Sequence, residues 1–199
     1  MQLPDVLGGL PVLVLGKWRG DAAEDQRFYE HAGIDLVEMR AAWASGAEAN
    51  LHPRGASTLS QQLAKLLYTG DERSAVRKLR EALYAVEMDR TLGKARVLQL
   101  YLSVAPWGQG QCGAQAAALH LLGKRAAAMT PIEAAWLASL LRNPDAELAR
   151  MANQGAVDTE RVGDIIQAMR PLARARREEL REQLADWPLP PITGAFAAR

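Results

Sequence analysis

The sequence predicts an all-α protein, and three observations indicate this fold class. Apolar residues recur at helical spacing along most of the 199 residues. Helix-capping patterns occur at Thr58-Leu59-Ser60-Gln61 and at Thr130-Pro131-Ile132-Glu133. Alternating Val, Ile and Thr runs joined by hairpin turns are almost absent. We therefore expect a single helical domain over residues 1–199, with a lead-in at 1–20 and an extended tail at about 187–199.

The first half of the chain is predicted to contain five helices. Their patterns cover residues 21–31, 34–45, 58–68, 73–91 and 94–104. The segment 46–55, which contains Pro53, reads as a loop between the second and third helices. Four apolar residues share one face of the third helix: Leu59, Leu63, Leu66 and Leu67. The apolar stripe of the fourth helix is predicted to face the core, and it consists of Val76, Leu79, Leu83 and Val86.

The second half is predicted to contain four more helices. Their patterns cover residues 113–122, 130–143, 158–169 and 172–186. The 130–143 helix is apolar nearly all round, so we interpret it as buried core that ends at Asn143-Pro144. The arginines of the last helix are balanced by neighbouring glutamates, which is typical of a solvated face.

Composition excludes several classes of protein. Lys and Arg number 24 and Asp and Glu 23, so no global field draws the chain to nucleic acid. The single cysteine, Cys112, excludes an internal disulfide framework. The longest apolar run, residues 10–16, is shorter than the roughly 20 residues that a membrane-spanning helix needs. We therefore expect no anchor helix within this chain.

Three polar clusters are candidates for a functional site. Two adjacent carboxylates, Glu24 and Asp25, precede Phe28 and His31. One face of the 58–68 helix carries Thr58, Gln62 and Lys65, an unusual set of uncharged hydrogen-bonding groups with one cation. The 73–91 helix carries Arg73, Arg77, Arg80 and, alongside them, Glu81. For that helix alone, an ordinary solvated face is the alternative interpretation.

Five ordered blocks of residues carry a resemblance to a known family. They are 24–35, 55–65, Arg77-Lys78 with Glu81, 97–103 with Gly108, and 133–135 with Leu137-Ala138. Over about Ala23 to Pro144 the sequence resembles the family 51 glycosyltransferases. These are the peptidoglycan glycosyltransferase domains of bifunctional penicillin-binding proteins and of monofunctional transglycosylases. Five blocks in the family's order are far more specific than any one of them.

The resemblance implies a fold and a set of site residues. The fold would be lysozyme-like, with a small membrane-facing jaw lobe at about residues 36–56. Glu24 would be the general base and Glu81 the second essential carboxylate. Residues that line the cleft and hold a lipid diphosphate would be Thr58, Gln62, Lys65, Arg73 and Arg77, with Asp25 close by. Phe28 and His31 are interpreted as shaping the site rather than reacting.

The implied reaction is the polymerisation of lipid II into β-1,4-linked glycan by an inverting mechanism. A sugar hydroxyl loses its proton as it attacks an anomeric carbon, and a carboxylate within hydrogen-bond reach, such as Glu24, can accept that proton. Lys65, Arg73 and Arg77 can stabilise the charge on the leaving diphosphate. Glu81 near these cations should stay ionised, which suits orienting the arginines or recruiting a divalent cation (Mg or Mn). No cofactor is expected to be required.

The resemblance also implies partners and a location. The partners would be lipid II, the growing lipid-linked glycan chain, the membrane surface and other cell-wall synthesis proteins, and the chain would act as a monomer. The catalytic domain would lie at the outer, periplasmic face of the bacterial cytoplasmic membrane.

Two alternative functions stay open. A lysozyme-like lytic muramidase would also pair two carboxylates, although hydrolysis has no diphosphate for the cations to stabilise. A non-catalytic relative that binds lipid II or a partner enzyme is the second alternative, because Gln99 and Ser103 stand where the family usually has Glu and Asn.

Overall fold

The computed structural model describes residues 25, 27–44, 57–70, 74–169, 172–188 and 190. Within these ranges the chain forms helices and turns, with two isolated β-bridges and no strand. The all-α prediction is confirmed. The predicted lead-in, most of the predicted jaw segment and most of the predicted tail lie outside the described residues.

The chain divides into two compact units. The N-terminal unit is Glu24–Tyr101, and the C-terminal unit contains Leu102–Arg199. No helix within the described ranges is both long and apolar enough to cross a lipid bilayer.

The N-terminal unit is built on two helices that pack against each other. Its helices are α1 (Leu36–Ala44), α2 (Leu59–Ala64), α3 (Ala75–Leu92) and most of α4 (Lys94–Val104). Helix α2 continues directly into a π-helical turn, Lys65–Thr69, and packs on α3. The predicted capping box is confirmed, because Thr58 Oγ1 accepts from Gln61 N and Gln61 Oε1 accepts from Thr58 N.

The predicted helix at 21–31 is wrong for its described residues. Arg27 to Glu30 form a hydrogen-bonded turn, and Ala32 and Ile34 form a short bridge around Gly33. Gly33 has a φ of +82°, and a Cβ built there would lie 2.5 Å from the carbonyl carbon of Ala85. The chain therefore reverses in contact with the backbone of α3, which only a glycine permits.

The prediction that the apolar stripe of α3 faces the core is also wrong. Val76, Leu79 and Leu83 are 60%, 62% and 63% exposed. The opposite side of the helix is the buried one, and it carries Glu81, Ala85 and Met88. Because the ion pairs of Glu81 lie inside, the stripe with the higher hydropathy faces outward.

Tyr68 and Tyr84 join this stripe to exposed residues of the π-helical turn. Their rings stack with centroids 4.9 Å apart. Leu66 and Leu67, predicted to share a face with the buried Leu59 and Leu63, are exposed because the chain changes from α- to π-helical spacing at Lys65. We name the resulting surface the apolar face, which consists of Leu66, Leu67, Tyr68, Val76, Leu79, Leu83 and Tyr84.

The C-terminal unit packs two of its helices against one apolar helix. Its helices are α5 (Ala114–Leu122), α6 (Pro131–Ser139), α7 (Pro144–Gln154), α8 (Thr159–Ala168) and α9 (Arg174–Ala185), with 3₁₀ turns at Ala126–Ala128 and Leu140–Arg142. Helix α6 packs on α8 and α9, and α8 packs on α9. The prediction that α6 is core is confirmed, since Ala135, Trp136 and Leu137 are fully buried.

Helix α7 was not predicted from the sequence. The sequence predicts a helix end at Asn143-Pro144, whereas Pro144 also occupies the first turn of a new helix. Proline suits this position because its missing N–H would have no partner inside the helix. The same dipeptide can therefore end one helix and begin the next.

Candidate active site

Six of the eight predicted site residues lie in the described part of the chain, and all six belong to the N-terminal unit. They are Asp25, Thr58, Gln62, Lys65, Arg77 and Glu81. Glu24, the predicted base, and Arg73 lie outside the described residues. The described residues come from the turn before α1, from α2 with its π-helical turn, and from α3.

Glu81 lies at the centre of a cluster of cations. The residue is 2% exposed, and its carboxylate forms an ion pair with Arg77 one helical turn earlier. Lys78 Nζ lies 2.9 Å from Glu81 Oε2. Residues three and four apart share one face of a helix, so α3 itself sets this geometry. The structure places Arg77 and Glu81 together, as the sequence predicts.

Lys78 also belongs to this cluster, although it is not among the residues predicted for the site. Its Nζ also donates to Ser57 Oγ at 2.8 Å, which ties α3 to the segment that leads into α2. Burial lowers the pKa of Lys78, and repulsion from Arg77 and Lys65 lowers it further. The signal was present in the sequence, since Lys78 belongs to the Arg77-Lys78 block and lies three residues before Glu81.

The π-helical turn brings one more polar group to Glu81. Thr69, the last residue of that turn, donates from Oγ1 to Glu81 Oε1 at 3.4 Å. The wider turn closes with Gly70 N donating to Lys65 O at 3.1 Å. Single π-helical turns inside α-helices occur frequently at functional sites, because they change the face on which the following side chains lie.

Gln62 is oriented by a tyrosine of α4. Tyr101 donates from its hydroxyl to Gln62 Oε1 at 3.0 Å. The amide oxygen of Gln62 therefore faces Tyr101. Tyr101 is buried and therefore gives the amide a fixed partner.

Asp25 is buried and engaged inside the protein. Its Oδ2 accepts from Leu59 N at 2.9 Å, at the first residue of α2, and both of its oxygens lie 3.1 Å from His31 Nε2. A carboxylate at a helix N-terminus is stabilised by the free N–H groups and by the helix dipole. The geometry is that of a helix-end residue.

Thr58 is likewise buried, with its hydroxyl fully engaged. Oγ1 donates to Gly33 O at 2.6 Å and accepts from Gln61 N at 3.1 Å. These two bonds join the N-terminus of α2 to the turn at Gly33. Thr58 therefore acts as a helix cap and a link between two segments.

The chemistry around Glu81 does not suit a divalent metal ion. Its carboxylate oxygens face Arg77, Lys78 and Thr69, two cations and one hydroxyl. In the part of the chain that the structure describes, no group of three or more His, Cys, Asp or Glu could hold a metal. Cationic neighbours instead favour an anionic ligand beside the carboxylate.

Comparison with known proteins identifies the family to which these residues belong. A protein-family model with the description Transglycosylase matches residues 21–170, more than half of the chain. A biosynthetic peptidoglycan transglycosylase of Nitrosomonas eutropha is 42% identical over 123 residues, which cover 62% of this chain and 50% of that protein.

Two further similar proteins carry the same name. The one from Aeromonas hydrophila is 47% identical over 126 residues, covering 62% of this chain and 52% of that protein. The one from Nitrobacter winogradskyi is 39% identical over 161 residues, covering 80% and 67%. The chain thus spans about half to two thirds of the length of these relatives.

Proposed function

The chain belongs to the transglycosylase family, and from this premise we propose that it is a peptidoglycan glycosyltransferase that polymerises lipid II into β-1,4-linked glycan. The observation that carries the proposal is the cluster of Arg77 and Lys78 around the buried Glu81, with Lys65 close enough to lower the pKa of Lys78. Such a cluster suits a diphosphate leaving group, which a simple glycoside hydrolase does not encounter.

In the proposed reaction, lipid II is the acceptor and the growing lipid-linked chain is the donor. The acceptor hydroxyl oxygen attacks the anomeric carbon of the donor, and the bond from that carbon to the diphosphate oxygen breaks. The bonding electron pair leaves with the diphosphate, whose growing charge Lys65, Arg77 and Lys78 stabilise. The hydroxyl proton passes to Glu24, and the configuration at the anomeric carbon is inverted.

Glu81 is proposed to organise the cations rather than to act as an acid. Its carboxylate is paired with both Arg77 and Lys78 and accepts from Thr69, so it holds the two cations at fixed positions on α3. Removal of one partner of a buried ion pair leaves an uncompensated charge, which is strongly unfavourable. Because the carboxylate already faces two cations, we expect no divalent cation to bind there.

Asp25 and Thr58 are proposed to support the site instead of contacting the substrate. Both side chains are buried, and their polar atoms bond to the N-terminus of α2 or to the turn at Gly33. They join Asp25 and the turn at Gly33 to the start of α2. Gln62, which Tyr101 orients, and Lys65 are the residues of α2 and its π-helical turn that we assign to the substrate.

The apolar face is proposed to rest on the membrane surface. The substrate's polyprenyl chain remains in the bilayer, so a cation cluster that binds its diphosphate must lie near the lipid. Helix α3 carries the cluster on its buried side and Val76, Leu79 and Leu83 on its exposed side. This arrangement supports contact with a membrane surface, and we propose that the surface is the outer face of the bacterial cytoplasmic membrane.

The decisive experiment is polymer formation from purified lipid II by the chain and by Glu24→Gln. We expect Glu24→Gln to lower turnover at least ~10²-fold, the usual contribution of a general base, with the fold and substrate binding retained. Glu30→Gln, a substitution at an exposed residue paired with Arg27, is the matched control and should polymerise normally. Retained turnover in Glu24→Gln would contradict the mechanism.

Two additions to this experiment separate the alternative functions. A phosphoglycolipid transglycosylase inhibitor should stop polymer formation by the wild-type chain. Purified sacculi, which contain no lipid carrier, should stay turbid, whereas a muramidase would clear them. Binding of lipid II without any polymer would indicate a non-catalytic relative.

A further inference from the structure

Tyr68 and Tyr84 form a stacked pair that the reaction described above does not use. Tyr68 belongs to the π-helical turn and Tyr84 to α3, and their ring centroids lie 4.9 Å apart at an interplanar angle of 27°. Aromatic pairs in such a geometry stabilise a fold by more than the area that they bury. Because both rings stay exposed, the pair is a surface contact that joins the turn to α3.

The π-helical turn itself has little core packing to fix its position. None of its five residues, Lys65–Thr69, is buried. Its last residue, Thr69, donates to Glu81 Oε1 at 3.4 Å. This distance is longer than the usual range of about 2.5–3.0 Å between two hydrogen-bonded oxygens, so the contact is weak. The turn therefore needs a further contact to hold it on α3.

Charge repulsion makes this need greater. Lys78 is a cation of α3, and burial lowers its pKa, while repulsion from Arg77 and from Lys65 of the turn lowers it further. Like charges move apart unless other contacts hold the segments that carry them. The stack of Tyr68 on Tyr84 joins these same two segments, the turn that contains Lys65 and the helix that contains Lys78.

We propose that Tyr68 and Tyr84 are positioning residues whose stacking holds the π-helical turn on α3 and so places Lys65 for the leaving diphosphate. The inference rests on the proposed function, in which Lys65 stabilises that diphosphate. Neither tyrosine touches the reacting atoms in this scheme. Their effect is on the distance between the cation of the turn and the cations of α3.

The kinetic test compares Tyr84→Ala, Tyr84→Phe and the control Leu92→Ala in the full chain with purified lipid II. Tyr84→Ala should lower kcat/KM about 10-fold, because a lost aromatic pair and a small misplacement of a catalytic group have effects of this order. Alanine is the best helix former, so α3 itself is not weakened. Tyr84→Phe keeps the ring and should recover most of kcat/KM.

The control tests whether any exposed apolar side chain of α3 has the same effect. Leu92, the last residue of this helix, is exposed, and its replacement by alanine should leave kcat/KM unchanged. A wild-type kcat/KM in Tyr84→Ala, or equal losses in Tyr84→Ala and Tyr84→Phe, would overturn the proposal.

A double-mutant cycle separates stacking from independent roles of the two tyrosines. Tyr68→Ala alone should also lower kcat/KM about 10-fold, because it removes the same stack. The double variant with Tyr84→Ala should lose no more than either single variant. Two tyrosines that act separately, for example by each touching lipid, would together lose about 100-fold. A loss of that size in the double variant would overturn the proposal.

Two further readouts need no lipid II. Gly70 N donates to Lys65 O at 3.1 Å and closes the turn, so its amide hydrogen should exchange several-fold faster in Tyr84→Ala than in the wild type or in Leu92→Ala. Inorganic pyrophosphate, titrated by calorimetry, should bind Tyr84→Ala about 10-fold more weakly than the wild type. Unchanged exchange at Gly70, or a pyrophosphate affinity that does not differ between the chains, would overturn the proposal. A wild-type chain that makes no polymer, although both readouts change as expected, would instead overturn the proposed function.

Discussion

At the scale of single residues, the carboxylate of Glu81 contacts three neighbouring side chains, those of Arg77, Lys78 and Thr69. Exposed helical ion pairs contribute only about 0.3–0.5 kcal/mol each, so spacing alone would give little reason to assign a function here. Burial changes this estimate, because removing one partner of a buried ion pair costs about 3–5 kcal/mol. The cations are therefore held firmly, and their charge is available to a ligand at a fixed position.

Lys78 should give the proposed reaction a measurable pH dependence. Burial and the repulsion from Arg77 and Lys65 lower its pKa, so this side chain loses its proton at a lower pH than an ordinary lysine. The contact with diphosphate should weaken as the pH rises through that pKa, and kcat/KM should fall with it. Lys78→Arg should move this fall upward by at least about one pH unit, since a guanidinium stays charged.

The measurement is a pH profile of kcat/KM for both chains with lipid II. Coincident alkaline limbs for wild type and Lys78→Arg would show that another group titrates.

The lowered pKa of Lys78 affects the stability of the fold in the opposite sense. Between the lowered pKa and the ordinary value, the unfolded chain binds more protons than the folded chain, so the free energy of unfolding contributed by Lys78 rises with pH.

Among the elements, α2 is held at its N-terminus by contacts from two other segments. Thr58 caps the helix and bonds to Gly33 O, while Asp25 accepts from Leu59 N. Gly33 in turn lies against the backbone of Ala85 on α3. Helix α2 is only six residues long, so its position depends on these tertiary bonds rather than on intrinsic helix propensity.

Gly33→Ala should be strongly destabilising for two separate reasons. A Cβ would lie 2.5 Å from the Ala85 carbonyl carbon, and the φ of +82° is unfavourable for alanine. Gly70→Ala is a matched control, with a φ of +65° and nothing within 4 Å of the added Cβ. We expect a loss of about 1–2 kcal/mol in the control and at least about 2 kcal/mol more in Gly33→Ala. Denaturant unfolding of both variants tests this, and equal losses would show that the contact with α3 is unimportant.

At the scale of the whole molecule, the net charge and the exposed apolar surface together predict how the protein binds to lipid. The net charge is only +1, so electrostatic attraction to anionic lipid is small. The apolar face presents several large exposed side chains in the N-terminal unit, among them Leu79 and Leu83. Binding to a lipid surface should therefore be hydrophobic and only weakly dependent on salt.

Replacement of Leu79 and Leu83 by Gln should weaken binding to phosphatidylcholine vesicles. Burying a leucine side chain contributes about 1.5–3 kcal/mol, and we expect at least ~10-fold weaker binding for each substitution. Leu119→Gln, at an exposed residue of α5, is the control and should bind as the wild type does. Flotation of the chains with vesicles at low and high salt gives the measurement. Unchanged binding by the double variant would contradict a lipid-facing role for this surface.

Local patterns in the sequence were sufficient for much of this architecture. The two capping boxes, at Thr58 and Thr130, predicted helix starts that the structure confirms, because the cap depends only on residues three apart. The uniform hydrophobicity of α6 predicted its burial. The spacing of Arg77 and Glu81 predicted their common face. In each of these features the deciding interactions lie within one helical turn or follow from composition.

The remaining features depend on contacts between distant parts of the chain. The turn in place of a helix before α1 requires Gly33 to lie against α3, which is more than fifty residues away. The outward orientation of the apolar stripe follows from the burial of Glu81 with Arg77 and Lys78, which reverses the usual choice of helix face. A link from Asp25 through His31 to Lys94 joins three segments. Periodicity ranks helix faces by hydropathy alone, whereas folding also satisfies buried charges, and here the buried charges determined which face of α3 lies inside.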